Sequence, residues 1–496
     1  MSFFHNFKPL IRGKLNKPLY LQIESVIKNC IMEGQLRASE RLPSSRVLAN
    51  RFAVSRQTIL NALNELIAEG FITSDERIAY FVASELPVGL ETFPTPRNNH
   101  SDFQWRVKDI LPADFSEEGQ SVDYNFVAGT PNFDLFPFSE FKRHLLRVMN
   151  YPIEKDFSYG HAAGHPELIS SLDEYLRRSR NISNRPLMIT NGSQEAIYMV
   201  SRLLLSKHDA VAVNALDYQP AWAAFKLNGA TLVKIKQDQD GLIPDDLSRQ
   251  LEKNKSIKLI YLTPQLQHPT TATLSQQRRE KIYQLAMENG IPIVEDDYDH
   301  EFHYYRHPLQ PMASFDPSQI IIYIGTLSKV LYPGARIGFI TSPKPVFDGL
   351  VKLRQIISHK NESTVQRATA LWMEDGGFER HVRRSTSFNK KKLEFTCRLL
   401  QKIQEREVKR SGTLQIEYIK PNGGTALWVK INVNCELLAK KARSQNILIQ
   451  DESCFSDLPV TRSRHLRLGF ARQSEIKQQE GIDKLFTIAR TLKRQG

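Results

Sequence analysis

Ile320-Ile321-Ile322-Tyr323-Ile324-Gly325-Thr326-Leu327-Ser328-Lys329 is a β-branched run that closes on hydroxyls and one lysine, and Arg336 follows shortly after. Such a run reads as a buried strand, so Lys329 is delivered from a strand end. Burial disfavours the charged ammonium, and a neutral amine can form a Schiff base with an aldehyde. The same reading extends outward in both directions. Short β runs at Leu187–Thr190, Ala210–Val213, Lys258–Thr263, Ile291–Glu295 and Ile337–Thr341 alternate with helical stretches. This alternation predicts a mostly parallel sheet covered by helices on both faces. After about Ser363 helices dominate, and Thr425–Ile431 and His465–Phe470 supply strands for a smaller α+β lobe.

Upstream the pattern changes. From Glu85 to Asp123 the residues Pro87, Pro94, Pro96 and Pro112 interrupt any period, which predicts a linker. Before it, Ile23, Ile27, Cys30 and Ile31 recur at helical spacing, and Gly34 ends that helix. Pro43 and Ser44 start a short helix, Ala53-Val54 make a turn, and Ser55 caps a longer helix to Gly70. Phe71–Thr73 and Ala79–Val82 then read as the strands of a wing. The expected organisation is a winged helix-turn-helix over residues 1–84, a linker over 85–123 and an α/β domain over 124–496, with its small lobe from about 363.

Composition bounds the class. The 496 residues exceed one compact core, and 41% hydrophobic with 24% charged residues is ordinary for a globular protein. No stretch approaches the roughly 20 apolar residues that span a bilayer, and Met1 to Lys8 lacks the pattern of a signal peptide, so the cytoplasm is expected. Cys30, Cys397, Cys435 and Cys454 show no zinc or disulfide spacing. The net charge of +13 favours a polyanionic partner.

Ser55-Arg56-Gln57-Thr58 places a guanidinium, an amide and hydroxyls at the start of the second helix of the motif, where base edges are read. Ser44, Arg46 and Arg51, one helix earlier, are placed for phosphates. Solvated arginines on a small helical domain are the competing reading. In the α/β part, Asn191-Gly192-Ser193-Gln194 opens a helix after a strand and offers an anion site, against an ordinary capped helix. Glu295-Asp296-Asp297-Tyr298 ends a strand in three carboxylates and a phenol, and at least one acid needs a cationic partner. A surface acidic turn, or a metal cluster with His300 and His303, competes with that reading; no metal is expected.

Pro18-Leu19-Tyr20-Leu21-Gln22-Ile23, Leu42-Pro43-Ser44-Ser45-Arg46 and Val54-Ser55-Arg56-Gln57-Thr58 to Gly70-Phe71 together resemble the winged-helix domain of the GntR regulators. Ser39 stands where that family usually has glycine, and Ser74–Ala79 replaces a glycine-rich wing tip in which Arg77 is the one basic residue. Gly129-Thr130-Pro131, Asn191–Gln194, Tyr261–Pro264 with Gln267–Thr270, Glu295–Asp299, Gly325–Lys329, Pro333–Gly338 and His465–Phe470 resemble the fold-type-I aminotransferases. Joined to the winged helix, the chain resembles the MocR-type branch of GntR regulators. Thr271, Leu266 and Asn214-Ala215-Leu216-Asp217 depart from the usual pattern around the pocket.

The resemblance implies pyridoxal 5'-phosphate, the cofactor that Lys329 already suggests. Lys329 would bind it covalently, Asp296 would pair with the pyridine nitrogen and Tyr298 with the ring's 3-oxygen. Arg336, Ser328, Ser193 and the Gly192 backbone would hold the phosphate; Thr326 and Gln194 belong to the same pocket, with Tyr218 near the ring. Tyr159 matches a residue that reaches a neighbouring subunit's phosphate, and Arg467 one that clamps an α-carboxylate. The implied protein is a regulator of transcription that binds double-stranded operator DNA and senses the cofactor itself, or an amine or amino-acid effector. The resemblance also implies an obligate homodimer with the pocket at the interface of two subunits; a linker of about 39 residues, on the order of 35 Å as a flexible coil, would let the winged helix of one chain rest on its partner, and a domain-swapped, head-to-tail arrangement is expected. The alternatives are an active aminotransferase with an attached DNA-binding domain, and an architectural DNA binder with a vestigial site.

Overall fold

The computed structural model describes residues 17–75, 79–87, 122–127, 129, 131–305, 309–409, 414–457, 460 and 463–495. Two compact units divide between Lys108 and Asp109. Most of the expected linker lies outside the described residues, as do the wing-tip residues Glu76, Arg77 and Ile78.

The first unit is built on three helices, α1 (Leu19–Met32), α2 (Ser45–Phe52) and α3 (Arg56–Ala68), and a two-stranded ribbon of β1 (Ile72–Asp75) and β2 (Ala79–Val82). The Ser44 hydroxyl accepts from Val47 N and the Ser55 hydroxyl from Thr58 N, so both helices start on a side-chain cap. Ala53, at φ +56°, makes the left-handed turn between them. Ile23, Leu48, Ile59, Leu63 and Leu66 are fully buried and lock the three helices together. The ribbon pairs antiparallel from Ile72 with Val82 to Asp75 with Ala79.

The second unit centres on a seven-stranded sheet. Its strands run in the order Leu187–Thr190, Gly338–Thr341, Ile321–Thr326, Ile293–Asp297, Ile257–Leu262, Ala210–Asn214 and Thr231–Ile235. Only Gly338–Thr341 is antiparallel to its neighbours. Side chains alternate between two apolar layers: Ile260, Ile293, Ile321 and Tyr323 enter one core, and Leu259, Tyr261, Val294 and Ile322 the other. Burial on both faces is why these strands read as continuous apolar runs. The edge strand Thr231–Ile235, which sequence patterning misses, is half exposed and carries Lys234 near its end. The strand expected over Ile291–Glu295 instead runs Ile293–Asp297, because Pro292 cannot donate to a ladder; its carboxylates therefore lie within the sheet.

The smaller lobe is a four-stranded antiparallel sheet, ordered Ile416–Tyr418, Ala426–Ile431, His465–Gly469 and Gln450–Asp451. Residues Tyr124–Asn125 pair in parallel with Ile447–Leu448, and Phe126 O accepts from Gly469 N at 2.7 Å. The first strand of the unit thus belongs to the lobe built by its last residues. All four cysteines are free. No helix among the described residues is long and apolar enough to cross a membrane.

Candidate functional site

At the C-terminal ends of the parallel strands lies a cavity of about 610 Å³, within the range typical of small-molecule sites. Lys329, Asp296, Tyr298, Arg336, Ser328, Thr326, Gly192, Ser193, Gln194, Tyr218 and Arg467 all line it. Residues from Gly192 to Arg467, far apart in sequence, thus converge on one space. Tyr159 does not: it is 81% exposed, with its ring 5.6 Å from that of His359.

Lys329 Nζ donates to the Gly129 carbonyl at 2.7 Å. Burial lowers its pKa, with the Asp299 carboxylate opposing and the Arg467 charge adding to the fall. The amine is thereby held in place with its proton loosened.

Asp296 Oδ2 accepts from Tyr261 Oη at 2.7 Å, while Oδ1, equally buried, has no partner. Burial pushes this carboxyl up to about 7, against the Tyr261 hydrogen bond. A buried acceptor without a donor is costly. A ring N–H bearing positive charge supplies both the missing donor and the counter-charge, so the residues fit a pyridine cofactor.

The acids on either side of Asp296 are satisfied differently. Glu295 accepts from the backbone of Met312 and Ala313, each at 2.9 Å, and burial pushes it up to about 7. Burial alone would push Asp297 up too, but His300, at 2.7 Å, holds it well below the usual carboxylate range, helped by Arg180 and Tyr323. The cationic partner demanded by three adjacent acids is therefore Arg180 beside Asp297, and His300 is hydrogen-bonded to the same carboxylate. Among the described residues no group of three or more His, Cys, Asp or Glu is placed to hold a metal ion.

At the other end of the cavity the helix Ser193–Leu204 starts on Gly192, at φ +81°. A Cβ there would meet Arg336 Nη2 at 2.8 Å, and a Cβ on Gly338 would meet the Gly192 carbonyl carbon at 2.5 Å. Glycine at both positions lets backbone and guanidinium close around a small anion. Arg336 Nη2 donates to Asn191 O at 2.6 Å. The acid in this first helical turn, Glu195, is held below its ordinary pKa against burial by Arg354, whose nitrogens lie at 2.6 and 2.7 Å. Its charge is neutralised locally and does not repel an anion at the helix start.

Three participants were not assigned roles from sequence. Tyr261 sits one strand away from Asp296. The His268 ring makes edge contacts with Tyr218 at 5.5 Å and Phe455 at 5.2 Å; burial, then the Arg467 and Lys329 charges, hold it well below its ordinary pKa. Arg472 lines the cavity five residues after Arg467. Only the final fold brings these together, although His268 stands in a motif the resemblance already matched.

In the first unit Arg46, Arg56 and Gln57 are exposed at the helix-turn-helix, and Arg51 and Thr58 are half-buried. Arg56 Nε donates to Ser45 Oγ at 3.2 Å, which ties this side chain to α2. Gln57 Nε2 donates to Asn61 Oδ1 at 3.0 Å along α3. Ser55 and Thr58 hydroxyls bond each other at 2.8 Å at the helix start.

Comparison with known proteins agrees with both units. Residues 126–485 match the family described as aminotransferase class I and II, and residues 19–82 match bacterial regulatory proteins of the gntR family. The chain is 30% identical over 377 residues to the probable rhizopine catabolism regulatory protein MocR of Rhizobium meliloti, 74% of each chain being covered. It is 28% identical to the HTH-type transcriptional regulator YdfD of Bacillus subtilis, covering 96% of this chain and 97% of the relative. A solved kynurenine aminotransferase from Pyrococcus horikoshii superposes with a TM-score of 0.68 at 26% identity, over 75% of this chain and 92% of that one.

Proposed function

We propose a function from one premise: this chain belongs to the class I and II aminotransferase family, carries a gntR-family DNA-binding domain ahead of it, and is thereby a MocR-type transcriptional regulator. Its cofactor is pyridoxal phosphate, and its signal is the cofactor itself or an amine or amino acid that reacts with it. One observation carries this reading: the unpartnered Asp296 Oδ1 shares a cavity with Lys329 and with the glycine-cradled helix start.

Pyridoxal phosphate supplies an aldehyde that condenses with amines and a ring that withdraws electrons. The chain's own residues do the rest. Asp296 takes the ring N–H, the Gly192–Ser193 helix start with Arg336, Ser328 and Thr326 takes the phosphate, and Tyr298 faces the 3-oxygen. Gly129 O holds the Lys329 amine. Arg467, 4% exposed and with its Nε unpartnered, receives the α-carboxylate. Ligand affinity that differs between two domain arrangements is what would convert occupancy into altered operator binding.

The protein is cytoplasmic and works as a homodimer in this reading. Tyr159 and Ile356, at 81% and 83% exposed, support a further subunit covering that side of the cavity domain. Two winged helices on long tethers then read a two-part operator, in a head-to-tail arrangement.

The test is direct. Protein purified with the cofactor shows a visible absorption band, borohydride fixes the cofactor on Lys329, and Lys329→Ala loses the adduct while operator footprints change with cofactor occupancy. An adduct on another lysine refutes the assignment. The second reading, a working aminotransferase with an attached DNA-binding unit, draws on Lys329, Asp296 and Arg467 lining one cavity; turnover with amino-acid and keto-acid panels decides it.

A further inference from the structure

We propose that the effector is an α-amino acid carrying a second anion on its side chain, and that Arg472 binds that anion. This rests on the cofactor and effector reading above and narrows it to one chemical class.

The argument is a count of charge. Four cations line the cavity, Lys329, Arg336, Arg467 and Arg472, against one carboxylate, Asp296. Asp296 is matched by the ring nitrogen and Lys329 is consumed in binding the cofactor. Arg336 faces the phosphate end, where it closes on Gly192 and Asn191. Arg467 takes the α-carboxylate, and the buried Asp299 behind the wall interacts with Lys329 and Arg467. Arg472 is left over. Like Arg336 and Arg467 it makes no ion pair among the described residues, whereas Arg180, Arg354 and Arg367, away from this cavity, each pair with a carboxylate.

Its position is built rather than incidental. Ala471, just before it, is 3% exposed, and Gln473, just after it, donates from Nε2 to Asn125 O at 2.9 Å. One residue after Asn125, Phe126 O accepts from Gly469 N, at the end of the preceding strand, at 2.7 Å. The turn after strand His465–Gly469 is thus fastened on both sides to the first strand of the unit, and Asn125 lines the cavity with it. The exposed Arg472 side chain hangs from an anchored backbone at the wall that also presents Arg467. A guanidinium so placed binds a carboxylate through paired N–H donors.

The test uses the full-length protein loaded with pyridoxal phosphate and follows the cofactor's visible absorption during titration with L-glutamate against L-glutamine, and L-aspartate against L-asparagine. Each pair is nearly isosteric and differs in one side-chain charge. We expect the acids to bind about tenfold or more tightly than their amides. In Arg472→Gln that ratio collapses to about twofold or less through loss of acid affinity, and Arg472→Lys retains part of it. Equal affinity for acid and amide in the natural protein overturns the inference, and so does an Arg472→Gln variant that weakens both alike. A cofactor band that no amino acid shifts overturns the effector reading and this inference with it; the lack of any band overturns the cofactor reading instead.

Discussion

Asp296 and Asp297 leave one strand on opposite faces, and each is held by a tyrosine: Tyr261 Oη donates to Asp296 Oδ2 and Tyr323 Oη to Asp297 Oδ2, both at 2.7 Å. Neighbours in sequence thereby acquire opposite acidities. Asp297 is held ionised by His300 and Arg180, and its charge helps burial to push Asp296 up to about 7. A negative charge one residue behind the cavity favours a cation in front of it.

The first prediction follows from the sign of that shift. A carboxyl whose folded pKa lies above its unfolded value, near 4, stabilises the fold when protonated; that contribution is full below about pH 4 and is lost as the pH rises toward 7. Cofactor-free protein therefore loses thermal stability between about pH 4 and pH 7, with Asp217 and Glu295, also near 7, adding to the slope. Asp296→Asn flattens the slope by on the order of 1 kcal/mol or more, because its amide has no charge to bury. Calorimetry of both proteins across that range checks this, and parallel profiles would sink it.

Behind Asp297 the fully buried Arg180 donates to Tyr323 Oη at 2.5 Å and pairs with Glu301, which also accepts from Tyr175 Oη at 3.2 Å. Removing one partner of a buried pair strands the other. Arg180→Met is expected to cost about 3–5 kcal/mol in denaturant unfolding. Tyr323→Phe is expected to cost about 1–3 kcal/mol, since Asp297 keeps His300. An Arg180→Met loss no larger than that of Tyr323→Phe would show that Glu301 finds another donor.

What was readable in the chain follows from which forces are local. Strands buried on both faces leave unbroken apolar runs, and Ser44 and Ser55 cap helices through hydrogen bonds three residues long, so these elements and Lys329 stood out. The half-exposed strand Thr231–Ile235 leaves no such run. Pairings such as Glu195 with Arg354, 159 residues apart, or Tyr261 with Asp296 across two strands, leave no local trace. Asp296, Tyr298 and Arg467 were placed by resemblance; the neutral His268 and the leftover Arg472 emerge only from the assembled cavity.

Two departures from the family pattern have a measurable consequence. Ser39 and Thr271 stand where glycine is usual, and both adopt φ +60°. Left-handed backbone costs an L residue roughly 1–2 kcal/mol, most for a β-branched side chain, while glycine gives back part through its freer unfolded chain. Thr271→Gly is therefore expected to raise the melting temperature, and Ser39→Gly to leave it nearly unchanged. A Thr271→Gly protein that melts earlier would mean that the threonine side chain holds the turn through packing.

For DNA reading, Arg56 and Gln57 at the start of α3 are the base-edge candidates. Alanine at either is expected to cost about 1–3 kcal/mol of specific binding and to relax sequence preference, while Arg51→Ala weakens all sequences alike. Ser45→Ala should act in the same direction as Arg56→Ala but less, because Ser45 Oγ only steadies the guanidinium. Footprints unchanged by Arg56→Ala would remove α3 from the groove.

Gly338 tests the anion cradle without touching any cofactor-facing side chain. Its added Cβ would lie 2.5 Å from the Gly192 carbonyl carbon and 2.8 Å from its Cα, a backbone approach that cannot yield by rotating a side chain. The start of the helix Ser193–Leu204 would have to shift, and with it the N–H groups proposed to hold the phosphate. Gly338→Ala is therefore expected to cost about 1–3 kcal/mol of stability, as overpacking does, and to weaken cofactor binding about tenfold or more. Gly334→Ala is the control, since its Cβ would meet the Tyr332 ring at ordinary contact distances of 3.5 and 3.7 Å. Equilibrium dialysis against pyridoxal phosphate, with calorimetry to confirm folding, separates the two. Equal affinities in the two variants would mean that the phosphate is held by side chains alone, and that the close approach of Gly338 to Gly192 serves packing.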